Sequence, residues 1–453
     1  MSNFRPIKRA TDFLLPPSVE EWLPQRHLAR FVVEVVEQLN LSKLTRAYRG
    51  SGSASYHPGM LLALMVYGYA TKVFSSRALE RATYDSVAFR YIAGNEHPDH
   101  DTIAAFRKRF IDEIEPLFVE VLKLAQAMGV LKLGTVGLDG TKIHANASRH
   151  SARSYEHAQK IEAQLKEEVK QLLLLAEQAD AANLPDGMSI PEELQRREQR
   201  LAAIAQAKAT IEARAQERFE REQAEYQAKM AAREAREKET GKKPGGRPPA
   251  PPTGGPGPKD QVNLTDADSR IMPVAGGGFD QCYNAQAVVA TGSLLVVASE
   301  VSQAPNDKQQ LEPMLDKLNT LPEALGQVET LLADSGYCSE ANVESCEAAG
   351  IEALIAMRRE HHHIGWQERF AAAPEAPPPD ATAMHRMAHR LKTPQGKKLY
   401  ALRKQTPEPV FGIIKSAMGF RQFLLRGLQN VQGEWDLVTM SWNIKRLFAL
   451  SPA

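Results

Sequence analysis

Between about Ser151 and Glu239 the sequence is dominated by Ala, Glu, Gln, Lys and Arg, and a compact fold cannot absorb such a stretch. Ile161, Leu165, Leu172 and Ala176 recur on one helical seam, and Leu194, Leu201, Ile204 and Ile211 on another, so each half has one narrow apolar stripe to bury. Asn183 to Pro191 breaks the pattern once, with Ser189 and Glu192 spaced as a capping box for the second half. The stretch therefore predicts an antiparallel, coiled-coil-like helical hairpin over 151–240 that projects from the body. Residues 241–259, rich in Gly and Pro, cannot continue a helix and are expected to be a flexible return linker. Such a hairpin can grip DNA or a second subunit, or stand as a solvated charged arm.

The segment before it, residues 1–133, reads as several short helices. Leu28, Phe31, Val32, Val35 and Leu39 recur at helical spacing, Pro58 suits the first position of a helix through Met60 to Tyr69, and Asp101 or Thr102 can cap a helix carrying Ile103, Phe106 and Phe110. Helices this short need one another's faces, which predicts an all-helical domain with turns at Gly50 to Gly52 and Gly94 to Pro98. Helix-turn-helix is one arrangement open to it. Arg77, Arg81, Arg90, Arg107, Lys108 and Arg109 can meet DNA phosphates, but acidic residues nearly balance them, so DNA-end binding and packing or dimerisation are both open readings.

From Gly134 the period becomes that of strands. Thr135 to Leu138 form a short apolar strand ending at Asp139, with Lys142, Ile143 and His144 as its return. Past the linker, Gln286 to Ala290 and Leu294 to Ser299 flank the turn Thr291-Gly292-Ser293, and Asn306 to Leu318 is helical. Val328 to Ala333 is a strand ending at Asp334, Ser339 caps a helix to Ala349 that Gly350 stops, and Ile351 to Ala356 is the next strand. His361 to Thr393, with Pro377 to Pro379, reads as loop, and Glu408 to Phe423 and Trp435 to Phe448 as helices. This alternation demands a mostly parallel or mixed sheet covered by helices, an α/β domain built from 134–150 and 260–453.

Cys282, Cys338 and Cys346 contain no C-x-x-C pair, so neither a disulfide framework nor a zinc knuckle is suggested. No apolar run approaches the length of a spanning helix, and Met1 to Arg9 is basic without the apolar run of a secretory signal. A soluble cytoplasmic protein with no membrane partner is expected. The formal net charge of +1 hides a local field: from His385 to Ala453 twelve basic residues face three acidic ones, an excess of nine that favours a polyanionic partner.

Asp139 and Asp334 both fall at the carboxyl ends of strands, the edge of an open α/β sheet where ligands bind. Each alone reads equally as a turn residue. Glu408, just after Thr406 and Pro407, stands in a first helical turn, seven residues before Lys415, so the two share a face beside Phe411, Ile414 and Met418. His361, His362 and His363 with His385 and His389 suggest a transition-metal site, but adjacent histidines cannot all face one ion and a loop or DNA-facing cluster is the favoured reading, and Cys338 has no base beside it. Asp266 and Asp268 read as turn residues and Asp307 as a helix cap.

Ordered short motifs run along nearly the whole chain. They are Pro98-Asp99-His100-Asp101-Thr102-Ile103 with Phe106-Arg107, Gly137-Leu138-Asp139-Gly140-Thr141-Lys142, and Asn263-Leu264-Thr265-Asp266 with Tyr283-Asn284-Ala285-Gln286. Ala333-Asp334-Ser335-Gly336-Tyr337, the run Tyr400 to Lys415, and Gly433-Glu434-Trp435 follow. In these the chain resembles the DDE transposases of bacterial insertion sequences, in the branch with an InsH-type N-terminal domain and a Tyr/Arg/Glu/Lys motif around the third acid. One departure is that four residues separate Arg403 from Glu408, one more than in the usual signature. The resemblance implies an RNase H-like catalytic domain, interrupted by the hairpin, in which Asp139, Asp334 and Glu408 hold Mg²⁺, with Mn²⁺ as the alternative. It implies that Tyr400, Arg403 and Lys415, with Lys404 beside them, contact phosphates. The partners implied are double-stranded DNA, as terminal inverted repeats and target, and a second protomer in a synaptic homodimer, which would make the protein nucleoid-associated. A catalytically silent DNA-binding regulator and a metal-dependent nuclease without joining activity are the rival readings.

Overall fold

The computed structural model of the chain describes residues 18–48, 54–179, 190–241, 245–357, 375–378 and 380–451. It is α/β, with a mixed sheet flanked by helices and a helical N-terminal region, and it divides into two compact units, Met1–His144 with Tyr283–Ala453, and Ala145–Cys282. Numbered along the chain, the strands are β1 (Gly134–His144), β2 (Ala152–Ser154), β3 (Gln261–Asn263), β4 (Arg270–Pro273), β5 (Phe279–Ala290), β6 (Val296–Ser302), β7 (Val328–Ala333) and β8 (Glu352–Ile355).

The first unit opens with α1 (Leu28–Gln38), α2 (Ser42–Arg46), α3 (Pro58–Ala70), α4 (Ser76–Asp85), α5 (Val87–Ile92), α6 (His100–Phe110) and α7 (Ile114–Ala127). Pro58 does stand at the start of α3, where its missing N–H costs nothing. Leu61, Leu62, Leu64, Met65, Val66 and Tyr69 are all buried, as a helix apolar on every side must be. The cap of α6 is Asp99 rather than Asp101 or Thr102. Asp99 holds an extended backbone one residue before the helix, and its Oδ1 accepts from the Thr102 N–H at 2.8 Å.

β1 runs unbroken to His144, so the expected return at Lys142 does not occur. Between Asp139 and Lys142 no residue has positive φ, and a two-residue hairpin turn requires one. The end of β1 is instead held by the segment near Phe423, whose N–H donates to His144 O at 2.8 Å. β7 pairs in parallel with β1 and with β8, while β5 neighbours β1 and forms the expected hairpin with β6.

Helices α10 (Leu311–Asn319), α11 (Glu340–Ala348), α12 (Ala383–Lys392), α13 (Pro394–Ala401), α14 (Pro407–Ser416) and α15 (Leu428–Leu450) complete this unit. α12 lies in a region whose prolines read as loop. Thr382 caps it, Met387 buries, and Arg386 and Arg390 reach Glu347 and Glu352, so tertiary contacts hold a helix that local sequence argued against. His361 to His363 lie outside the described residues.

The second unit contains α8 (Tyr155–Ala179) and α9 (Ile190–Thr240). Glu168 pairs with Arg197 at 2.9 Å, Glu162 with Lys208 at 2.7 Å, and Tyr155 Oη donates to Glu212 at 2.6 Å. Partners descend along one helix as they ascend the other, so α8 and α9 run antiparallel. Leu165, Ile204 and Ile211 are buried along its seam, whereas Ser189 of the expected capping box lies outside the described residues. Arg218 donates to both oxygens of Asp260, at 3.1 and 2.7 Å, and so fastens the returning segment to α9, while β2 pairs antiparallel with β3.

α15 packs on β6, α3 and α7 with Trp435 fully buried, and Gly433 lies against Ile111, between α6 and α7. A Cβ there would stand 2.4 Å from Ile111 Cγ1 and 2.8 Å from its carbonyl oxygen. Gly433→Val is therefore expected to cost about 1–3 kcal/mol by overpacking. Urea unfolding measures it, and an unchanged midpoint would show that the Ile111 contact gives way without cost.

Candidate active site

The register of two parallel strands brings the first two acids together. Gly134 of β1 pairs with Val328 of β7, but Thr135 pairs with Thr330, so β7 bulges past Glu329, and Gly137 then faces Leu332. Continuing that register by two residues on each strand sets Asp139 beside Asp334, on chains about 4.8 Å apart. Asp139 Oδ1 accepts from the Gly140 N–H at 2.8 Å, and Asp334 Oδ1 from the Gly336 N–H at 2.8 Å, where Asp334 caps the single turn Ser335–Tyr337.

Glu408 arrives from the other side, in the first turn of α14. That helix start rests directly on β1: a Cβ at Gly137 would lie 3.0 Å from the Pro407 ring, a tight contact that glycine avoids. Arg403, in the turn Leu402–Gln405 that leads into α14, stands between the acids, with Nη1 3.9 Å from Asp139 Oδ2 and Nη2 3.3 Å from Glu408 Oε1. Its side chain is 12% exposed, against 18% for Asp139 and 52% for Glu408. The Arg403 Nε is buried and has no hydrogen-bond partner among the described residues. Lys415, seven residues after Glu408, donates from Nζ to Thr141 Oγ1 at 2.5 Å and to the Lys142 carbonyl at 2.9 Å.

Burial pushes the Asp139 carboxyl up to about 7. The Gly140 N–H and Arg403 pull it down, while the charges of Asp334 and Glu408 push it further up. Burial opposes the charge of Arg403 in turn, but Tyr400, Asp139, Asp334 and Glu408 outweigh it, and the guanidinium is held above its ordinary value. Asp139, Asp334, Glu408, Arg403 and Tyr400 thus share one electrostatic neighbourhood, with Lys415 anchored on β1 beside it. Among the described residues no three His, Cys, Asp or Glu side chains form a preformed metal-ligand cluster, and the acids are spaced around a guanidinium.

Lys404 is exposed on the same turn as Arg403, and Lys108 is exposed on α6. Arg107, also on α6, donates to Tyr69 Oη at 3.4 Å and to the Phe74 carbonyl at 3.3 Å, contacts that tie helices together. Asp307 is not a helix cap: α10 begins after Gln310 without a side-chain cap. The Asp307 Oδ1 instead accepts from Asn284 Nδ2 at 2.7 Å, Gln286 Nε2 at 2.8 Å and Lys142 Nζ at 3.4 Å. Asn284 and Gln286 are fully buried, and Gln286 Oε1 accepts from the Tyr337 hydroxyl. The sequence signal for this group was two amides at alternate positions of an otherwise apolar strand, both on one face and both in need of an acceptor.

Residues 17–109 match the model of a transposase domain (DUF772), and residues 261–444 match that of the transposase DDE domain. Both are transposase domains. Together they are consistent with an insertion-sequence transposase, support a transposase function and imply a DNA substrate. The DDE domain match contains Asp334 and Glu408 and begins after the hairpin. No curated protein and no solved structure matches the chain. No helix among the described residues is long and apolar enough to cross a membrane.

The raised Asp139 carboxyl carries a stability signature. Its unfolded value is about 3.9, so between roughly pH 4 and 7 the folded chain keeps a proton that the unfolded chain has released. Stability is therefore lost as pH rises through that window. In chelator, Asp139→Asn is expected to unfold at a higher temperature than the parent at pH 8, with the gap closing towards pH 4. A variant no more stable than the parent at pH 8 would show that burial of this carboxyl is unimportant.

Proposed function

We propose that the protein is a DNA transposase with an RNase H-like catalytic domain, cutting and rejoining DNA at the ends of its element. Asp139, Asp334 and Glu408 are the catalytic acids of this reading. The observation that carries it is the bridge Asp139–Arg403–Glu408, with Asp334 at the neighbouring strand end. Arg403 bridges two acids far apart in sequence, and the charge of Asp334 acts on both Asp139 and Arg403.

The donor set fits a hard divalent cation. Carboxylate oxygens suit Mg²⁺ or Mn²⁺ rather than zinc, and the concentrated negative charge, here opposed by the Arg403 guanidinium, calls for positive charge. When bound, two such cations would polarise an attacking water or 3′ hydroxyl and stabilise the departing oxygen of an in-line displacement at phosphorus. Asp139, whose carboxyl burial raises to about 7, would hold such a cation in its deprotonated form. Arg403 has a buried donor, Nε, to offer a phosphate, and Lys415 is held by Thr141 and the Lys142 carbonyl close to the same strand end. Tyr400 and the exposed Lys404 extend the phosphate contacts, and the exposed Lys108 adds another on α6. Two protomers would hold two DNA ends.

Asp139→Asn, Asp334→Asn and Glu408→Gln are each expected to lower Mg²⁺-dependent cleavage of end-bearing DNA by about two orders of magnitude or more, the scale on which loss of one charge-stabilising group acts. Unchanged cleavage in any of them would remove that acid from the site. A strand-transfer assay with the freed 3′ ends separates a transposase from a nuclease that cuts without joining, and absence of any cutting by the parent chain would leave only the silent regulator.

A further inference from the structure

We propose that Asp307 is a positioning residue for the second acid, acting through Gln286 and Tyr337 on the turn that carries Asp334; this rests on the catalytic reading above. Asp307 stands in the loop between β6 and α10, and its Oδ1 gathers three donors, Asn284, Gln286 and Lys142. Two of these are fully buried amides on β5, which would lose much if left unpaired. Gln286 is fixed from behind as well, its carbonyl accepting from Trp435 Nε1 at 3.0 Å. Its side-chain oxygen is thereby presented to the Tyr337 hydroxyl.

Tyr337 closes the turn headed by Asp334, its N–H donating to the Asp334 carbonyl at 3.2 Å, and its ring is wholly buried. Asn342 ties the same pieces from a second direction. Its Nδ2 donates both to the Lys308 carbonyl at 2.8 Å and to the Tyr337 carbonyl at 2.6 Å, so the Asp307 loop and the Asp334 turn are joined twice. The fit is close at both acids. A Cβ at Gly140, directly after Asp139, would lie 2.2 Å from Gln286 Nε2 and 2.8 Å from Asp307 Oδ1. A Cβ at Gly336 would lie 2.9 Å from Asp334 Oδ1 and 3.8 Å from Asp307 Oδ2. Groups that orient a cation's ligands in this indirect way act on cation affinity, by about 10- to 100-fold when removed.

The test is Mn²⁺ binding to the full chain, measured by calorimetry without DNA, alongside cleavage and thermal unfolding. Asp307→Ala is expected to weaken Mn²⁺ binding about tenfold or more, with cleavage recovering at high Mn²⁺, while Asp307→Asn, which keeps an acceptor at the Oδ1 position, stays near the parent. Tyr337→Phe, which removes only the hydroxyl, is expected to move Mn²⁺ affinity in the same direction as Asp307→Ala and serves should the alanine variant fail to fold. Parental Mn²⁺ affinity in a folded Asp307→Ala or Tyr337→Phe chain, or an asparagine variant as weak as the alanine one, would overturn the relay. Asp334→Asn binding Mn²⁺ like the parent would instead strike the catalytic reading itself.

Discussion

The single residue by which β7 bulges past β1 sets Asp139 level with Asp334. Without the skip over Glu329, Gly134 opposite Val328 would continue in step, and Asp139 would stand level with Ala333. Because side chains alternate along a strand, a one-residue slip moves a neighbour to the opposite face as well as along the chain. The bulge begins where Gly134 holds a positive φ of 40°, a conformation that favours glycine. Once the register is set, Gly137 gives Pro407 its seat, and α14 delivers Glu408 to the same strand end.

Bringing acids together creates an electrostatic problem that the chain solves with its basic C-terminal segment. The excess of basic residues after His385 is partly internal. Arg386 and Arg390 pair with Glu347, Lys445 donates to the Ala70 carbonyl, Arg446 to that of Ser293, and Arg403 sits among the acids. Two of the three acidic residues in that segment, Glu434 and Asp436, are buried as well. Glu434 accepts from Tyr69 Oη and from the Leu424 and Leu425 N–H groups, and Asp436 from Ser299 Oγ. What the segment shows to solvent is thus more uniformly positive than its composition, with Lys397, Lys398 and Lys404 all exposed. A surface of this charge favours a polyanionic partner.

What the sequence could reveal followed from range. β7 and the helix capped by Ser339 were legible to within a residue because apolar runs and caps are local signals. Asp334 directly follows a strand and Glu408 stands in a first helical turn, as their local sequence suggests, whereas Asp139 lies within β1 and not at its end. α12 was not legible, since its support comes from Glu347 and Glu352 across the fold, and Asp307 was misread as a cap because its partners Lys142, Asn284 and Gln286 lie on β1 and β5. A carboxylate near a helix start has two possible uses, and only the arrangement of distant strands decides between them.

That arrangement also explains why one strand can serve both networks. Along β1, Gly137, Asp139 and Thr141 share a face, meeting Pro407, Arg403 and Lys415 in turn. Gly140 and Lys142 share the other, meeting Gln286 and Asp307. Had the chain reversed after Asp139, as its sequence first suggested, the second face would not exist, and nothing on β1 would reach the loop that buttresses Asp334. The extended run to His144 is therefore a condition of the site: it lets one acid be held by its own strand while the residues around it reach towards the other two.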